Sequence, residues 1–148
     1  MPRPFIRATA IAVLLWREHL LAAHYPNFGE SFYRPVGGGI EFGERAEDAV
    51  RRECLEELGR AIEVVERLGV SENIFTLHGE PGHQLMFEFI ARWPDGQEPV
   101  DLSPLLGQES NGDPIDARWL PLDQVFAGSF TLYPDGLTER LRTWLTSR

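Results

Sequence analysis

Residues Gly37 to Gly59, GGGIEFGERAEDAVRRECLEELG, constrain this chain more than any other stretch. Their first third is glycine-rich, and the remainder reads as one helix that stops at Gly59. At about 100° per residue, with Glu53 taken as zero, Glu57 falls near 40° and Glu56 near 300°. The three carboxylates share an arc of roughly 100°, while Val50, Cys54, Leu55 and Leu58 lie between about 60° and 200°. One side of the helix is built to bury, and the side next to it gathers negative charge.

A helix alone would not make that charge functional. Like charges at i, i+4 cost about 0.2–0.5 kcal/mol per pair in water, which a solvated surface tolerates. The glycines change the weighing. Gly37-Gly38-Gly39 lets backbone carbonyls and amides approach a ligand without Cβ interference. Hard cations such as Mg²⁺ take oxygen from carboxylates, carbonyls and substrate phosphates together. Arg51 and Arg52 place positive charge beside the cluster, and Glu44, Glu47 and Asp48 suit the positive end of the helix dipole.

The chain has 148 residues, enough for one domain over 1–148 with a single core. A formal net charge of −9 argues against tight binding to long nucleic acid, which relies on basic surface. Small phosphorylated ligands remain compatible, because a bound divalent cation inverts the local field. Cys54 is the only cysteine, so no intrachain disulfide forms and a reducing compartment is the easier fit. Arg3 and Arg7 ahead of Ala8 to Trp16 resemble a short signal-peptide core, but so short a run suits a buried strand and cannot span a bilayer. The chain is expected to be soluble and cytoplasmic, with no membrane partner, as a monomer or a homodimer.

Taken in order, Ile6–Trp16 and Leu20–Tyr25 predict a hairpin with a three-residue polar turn, Arg17-Glu18-His19. Residues 26–30 predict a loop and Ser31–Val36 a short strand entering the glycine loop. Glu63–Leu77 predicts a long bent strand, 78–82 a turn, and Gln84–Trp93 a strand with Leu85, Phe87, Phe89 and Ala91 on one face. Asp95–Asp113 reads as a long loop rich in Pro, Gly and acids, of a length that is more often functional than idle. Asp116–Leu120 closes the strands, and helices follow at Leu122–Ala127 and Gly136–Leu145. The fold class is α/β, a mixed sheet with helices on both faces.

Gly38, five residues, Glu44, seven residues, then Arg52-Glu53-Cys54-Leu55-Glu56-Glu57-Leu58-Gly59 closely resembles the signature box of the Nudix hydrolases. The hairpin before the box and Trp119-Leu120-Pro121-Leu122 late in the chain fit the same family. Three positions depart from its pattern. Arg60 and Cys54 stand where aliphatic residues are usual, and the proline before the glycines, Pro35, stands one residue early.

The resemblance implies an α/β/α sandwich and a Mg²⁺-dependent hydrolase, with Mn²⁺ as a substitute. The bond cleaved would be the pyrophosphate linkage of a nucleoside diphosphate joined to a group X. It makes Glu53 and Glu57 metal ligands and Glu56 a ligand or base, with a carbonyl of Gly38 or Gly39 completing the shell. Arg52 and Glu44 become a supporting ion pair. The general base is left open between the box and the later loop, which offers Glu98, Asp101, Glu109 and Asp113; Glu109 is favoured because it precedes the final strand. Arg34 is the candidate phosphate contact. Phe28, Phe32, Tyr33, Phe75 and Trp93 are candidates for base stacking, and His24, His78 and His83 are expected at surface or turn positions. Two other functions fit the same scaffold. One is a nucleotide-sensing module without catalysis; the other is a prenyl diphosphate isomerase, which needs a reactive cysteine.

Overall fold

The computed structural model describes residues 4–26 and 31–148. Arg3, and Asn27 to Glu30 of the expected loop with the stacking candidate Phe28, lie outside the described residues. Strands and helices follow in the order β1 (Arg7–Trp16), β2 (His19–Tyr25), β3 (Phe32–Arg34), β4 (Gly37–Gly39), α1 (Ala46–Leu58), β5 (Glu63–Leu77), β6 (Glu80–Arg92), β7 (Leu105–Gln108), β8 (Pro114–Pro121), α2 (Leu122–Phe126) and α3 (Leu137–Thr146).

β1 is the strand on which the others depend. It runs parallel to β6 from Arg7 to Leu14 and antiparallel to β4 on its other edge at Thr9 to Ile11. Only at Leu15 and Trp16 does it pair with β2. The sheet order is β5-β6-β1-β2-β8-β7, with β3 on β2 and β4 on β1. One parallel pairing among antiparallel ones makes the sheet mixed, as expected.

The alternation of β1 serves two cores. Ala10, Ala12 and Leu14 face α1 and pack with Val50, Cys54, Phe89 and Trp93. Val13 faces the other way, against Ile90 and against Leu137 and Leu141 of α3. Helices therefore cover both faces. Within α1, Ala49, Val50 and Cys54 are buried as the wheel requires, and Gly59 closes the helix at φ 68° with its N–H on the Leu55 carbonyl. Leu55, at the edge of the apolar arc, is exposed instead.

Four expectations need correcting. The first turn has two residues, Arg17 and Glu18, both at positive φ (49° and 61°), because His19 already pairs with Trp16. The second turn is His78-Gly79 alone, and β6 starts at Glu80 opposite Leu77. The glycine run is a strand as well as a loop: Gly37 to Gly39 pair with β1. A Cβ at Gly37 would sit 2.0 Å from the Ala10 carbonyl oxygen, so only glycine lets β4 lie this close. Finally, the long loop contains β7, which pairs with β8 from Leu105 to Gln108.

Candidate active site

Arg52 organises the box. Its Nε and Nη2 donate to the two oxygens of Glu44 at 2.8 and 2.9 Å, and Nη2 also donates to the Gly39 carbonyl at 2.9 Å. Its Nη1 reaches Glu53 at 3.1 Å and Glu56 at 3.2 Å. One guanidinium thus ties the helix to the loop before it and to the glycine strand. Glu44 in turn accepts the Glu41 N–H at 3.1 Å, and the Arg52 hydrogen bonds hold its carboxyl at about 2, well below the usual range. The structure thus brings Arg52 and Glu44 together as an ion pair.

Glu53 lies directly on Gly38, where a Cβ would fall 2.5 Å from its carboxyl carbon. One turn on, Glu57 is pushed up to about 8, first by burial and then by repulsion from, and hydrogen bonding with, Glu53. Arg34 opposes that rise and Glu109 adds to it, so both lie within electrostatic reach. The Arg34 guanidinium donates to the Tyr25 hydroxyl at 3.3 Å, while its buried Nε has no partner among the described residues.

These groups line one cleft of about 190 Å³, with Gly37, Gly38, Glu53, Glu57, Arg34 and Glu109 all in its lining. Glu56 stands apart. Its side chain is 56% exposed and points to Arg52, so the pair Glu53–Glu57 faces the cleft and not the triplet the wheel grouped. Among the loop acids only Glu109 lines the cleft. Glu98 accepts the Gly96 N–H, Asp101 the Ser103 N–H, and Asp113 binds Asn111, all within their own turns. The same turn fixes Glu109, whose N–H donates to the Asp113 carbonyl at 2.8 Å.

The histidines lie elsewhere: His24 contacts Ser31, His83 faces Glu72, and His78 sits in a turn. Tyr25 stacks on Phe32 with centroids 5.0 Å apart, next to Arg34, whereas Trp93 packs on Trp119, and Phe75 covers Gly82. Arg60 lies over the Trp93 ring at 5.5 Å, which leaves the cap at Gly59 undisturbed. Sequence reading missed Arg7, Thr9 and Ile11 of β1, and Ser110 and Asn111 beyond β7, all of which line the cleft. The signal was available in β1: polar Arg7 and Thr9 alternate with alanines in an otherwise apolar run.

The donor set suits a hard divalent cation. Two carboxylates are held together over a glycine backbone, and burial with repulsion from Glu53 pushes Glu57 up to about 8, a crowding of like charge that a hard divalent cation would relieve. Among the described residues no group of three or more His, Cys, Asp or Glu side chains is arranged to hold a metal. Two carboxylates are fewer than a hard cation's full set of oxygen ligands, the rest of which water and phosphate oxygens can supply.

Comparison with known proteins agrees with this geometry. The NUDIX domain family matches residues 6–141. The NAD-capped RNA hydrolase NudC of Pseudomonas syringae pv. tomato is 29% identical over 122 residues, which cover 82% of this chain. The chain spans only 38% of the length of that relative. The oxidized purine nucleoside triphosphate hydrolase of Mus musculus is 27% identical over 133 residues, covering 86% of this chain and 72% of that protein. The solution structure of the E. coli ORF135 protein shares the fold at a TM-score of 0.67 with 19% identity, covering 98% of this chain and 94% of that one. A relative named for capped RNA limits the charge argument, since acidity at −9 does not exclude a substrate attached to a nucleic acid. No helix among the described residues is long and apolar enough to cross a membrane. With the box, the cleft and the family match in agreement, the chain belongs to the NUDIX domain family.

Proposed function

We propose that the chain is a Mg²⁺-dependent hydrolase, with Mn²⁺ able to substitute, that cleaves the pyrophosphate linkage of a nucleoside diphosphate joined to X. The observation that carries this reading is the Glu53–Glu57 pair crowded over Gly38. Glu53 and Glu57, with a Gly38 or Gly39 carbonyl, would hold the cation. A divalent cation bound there supplies Lewis acidity and neutralises charge on the diphosphate. Arg34 takes a phosphate oxygen, its Nε being buried and unpartnered. Glu109 lines the same cleft within electrostatic reach of Glu57 and accepts the proton of the attacking water as general base. Arg52 and Glu44 position Glu53 and the glycine strand without touching substrate, and Glu56 supports them from the exposed side.

An isomerase needs a reactive thiol in the site. Cys54 is in the core, and burial pushes its thiol up to about 12. The sensing module would be favoured by tight nucleotide binding without turnover.

The test is a panel of nucleoside triphosphates, nucleotide sugars, ADP-ribose, dinucleoside polyphosphates and NAD-capped oligonucleotides, with Mg²⁺, Mn²⁺ or chelator, read by product mass. Running it in ¹⁸O water identifies the phosphorus attacked. Glu57→Gln is expected to lower Mg²⁺-dependent turnover at least about a hundredfold with the fold intact; an unchanged rate would defeat the assignment.

A further inference from the structure

Arg34 lines the cleft but stands outside the network of the box. The ion pairs beside the cleft belong to Arg52, on Glu44, Glu53 and Glu56, and none of the described carboxylates pairs with Arg34. Among the described residues its hydrogen-bond partner is a neutral group, the Tyr25 hydroxyl, which accepts from Nη2. The register of β2 and β3 explains the contact. Ala23 pairs with Arg34 and Tyr25 with Phe32, so Tyr25 and Arg34 are diagonal neighbours on one face of the ladder. An aromatic and a long side chain can meet across that diagonal. The guanidinium also lies over the Tyr25 ring, 5.6 Å from its centroid.

Tyr25 is itself held in place. Its ring stacks on Phe32 with 16° between the planes, and Tyr133 closes edge-on against Phe32 at 5.4 Å and 78°. A second set of main-chain bonds fixes β3: the Tyr33 N–H donates to the Thr131 carbonyl at 2.8 Å, and the Tyr133 N–H to the Tyr33 carbonyl at 3.0 Å. Burial raises the Tyr25 phenol above its usual range, so the hydroxyl stays neutral. That neutrality matters. A carboxylate in its place would order the guanidinium and cancel its charge together, whereas a hydroxyl orders it and leaves the charge for an incoming anion. A long side chain ordered beforehand loses less freedom when it grips its ligand. We propose that Tyr25 is a positioning residue, whose hydroxyl, locked by the Phe32–Tyr133 stack, holds the Arg34 guanidinium ready for a phosphate of the substrate. The inference rests on the diphosphate reading, which gives Arg34 its anion.

Isothermal titration of inorganic pyrophosphate with Mg²⁺ into four proteins tests it: wild type, Tyr25→Phe, Arg34→Met and the double variant. Tyr25→Phe keeps the stack on Phe32 and removes only the hydroxyl. It is expected to weaken pyrophosphate about three- to tenfold, the ordering cost of one long side chain. Arg34→Met weakens it at least as much. In the Arg34→Met background, Tyr25→Phe changes affinity by less than about twofold, because no guanidinium is left to position. A role in packing alone would instead produce the same loss in either background. Unchanged pyrophosphate affinity in Tyr25→Phe, or a loss as large beside Arg34→Met as in wild type, would overturn the inference. So would a wild type without measurable affinity for pyrophosphate. A protein that shows the expected coupling but hydrolyses nothing in the substrate panel would instead overturn the hydrolase reading and leave this one standing.

Discussion

In the metal-free protein Glu57 keeps its proton up to about pH 8, because burial and the Glu53 carboxylate both penalise its charge. In the unfolded chain the same group ionises near 4.5. Below that value both states are protonated and Glu57 contributes no pH dependence. Between 4.5 and about 8 only the unfolded state gives up its proton, so stability falls as pH rises, and the loss is complete above the folded value. With chelator present, the urea midpoint of the wild type is therefore expected to drop across this window, and Glu57→Gln to flatten the drop. Parallel slopes would contradict the placement. Glu44 behaves oppositely: its stabilisation is present above 4.5 and is lost only as pH falls toward 2. Arg52 is the other residue whose geometry is decisive. Lysine cannot reproduce a fork on Glu44 together with a bond to the Gly39 carbonyl, so Arg52→Lys is expected to lose about 10–100-fold in activity, read as kcat/KM. The wheel grouped Glu53, Glu56 and Glu57 correctly by angle. It could not show that Arg52 draws Glu56 outward, because that depends on where a long side chain ends.

β7 is short, yet it sets one wall of the cleft. Gly107 lies so close to α1 that a Cβ there would sit 1.9 Å from the Glu57 carbonyl oxygen. Gly107→Ala must push β7 off the helix, at an expected cost of about 1–3 kcal/mol. Glu109 moves with it, so kcat/KM should fall further than stability alone explains. Denaturation and steady-state kinetics on the same preparation measure both. The strand was hidden in the sequence for a physical reason. Leu-Leu-Gly-Gln has too few residues to display a period, and its order comes from β8 and from the groove beside α1. β4 was hidden similarly, since glycines carry no side-chain pattern. By contrast α1, β1, β2, β5 and β8 were legible, because each has enough alternation or helical spacing to reveal its buried face. Thr9 and Arg7 were visible as breaks in the β1 pattern, but their meaning required knowing which strands flank them.

Across the whole molecule, α1 and α3 hold the sheet from opposite sides by different means. α1 relies on apolar packing around Val50 and Cys54. α3 combines Leu137 and Leu141 with the Arg140–Glu88 pair, in which Glu88 is 0% and Arg140 33% exposed. Arg140→Met strands a buried carboxylate and is expected to cost about 2–4 kcal/mol, below the full buried-pair range because the arginine is partly solvated. Glu88→Leu combined with Arg140→Met should recover much of that loss in a double-mutant cycle. If the double variant is as weak as the single one, the cost lies in packing and not in the stranded charge. Helix placement on both faces followed from the order of elements; the ion pair joining residues 52 positions apart did not, because no local pattern links them.

The close seat of Gly107 also says where this chain could grow. β7 is anchored at its middle, so the stretch before it, from Pro94 to Pro104, and the turn after it, from Glu109 to Asp113, are mechanically separate. Extra residues spliced in around Val100, itself fully exposed, would lengthen a connection at little entropic cost and leave the chemistry alone. The same residues spliced between Glu109 and Asp113 would alter the lining of the cleft that holds the acidic pair. A lineage seeking new substrates would find its variation in the second segment, and one seeking new attachments would find it in the first.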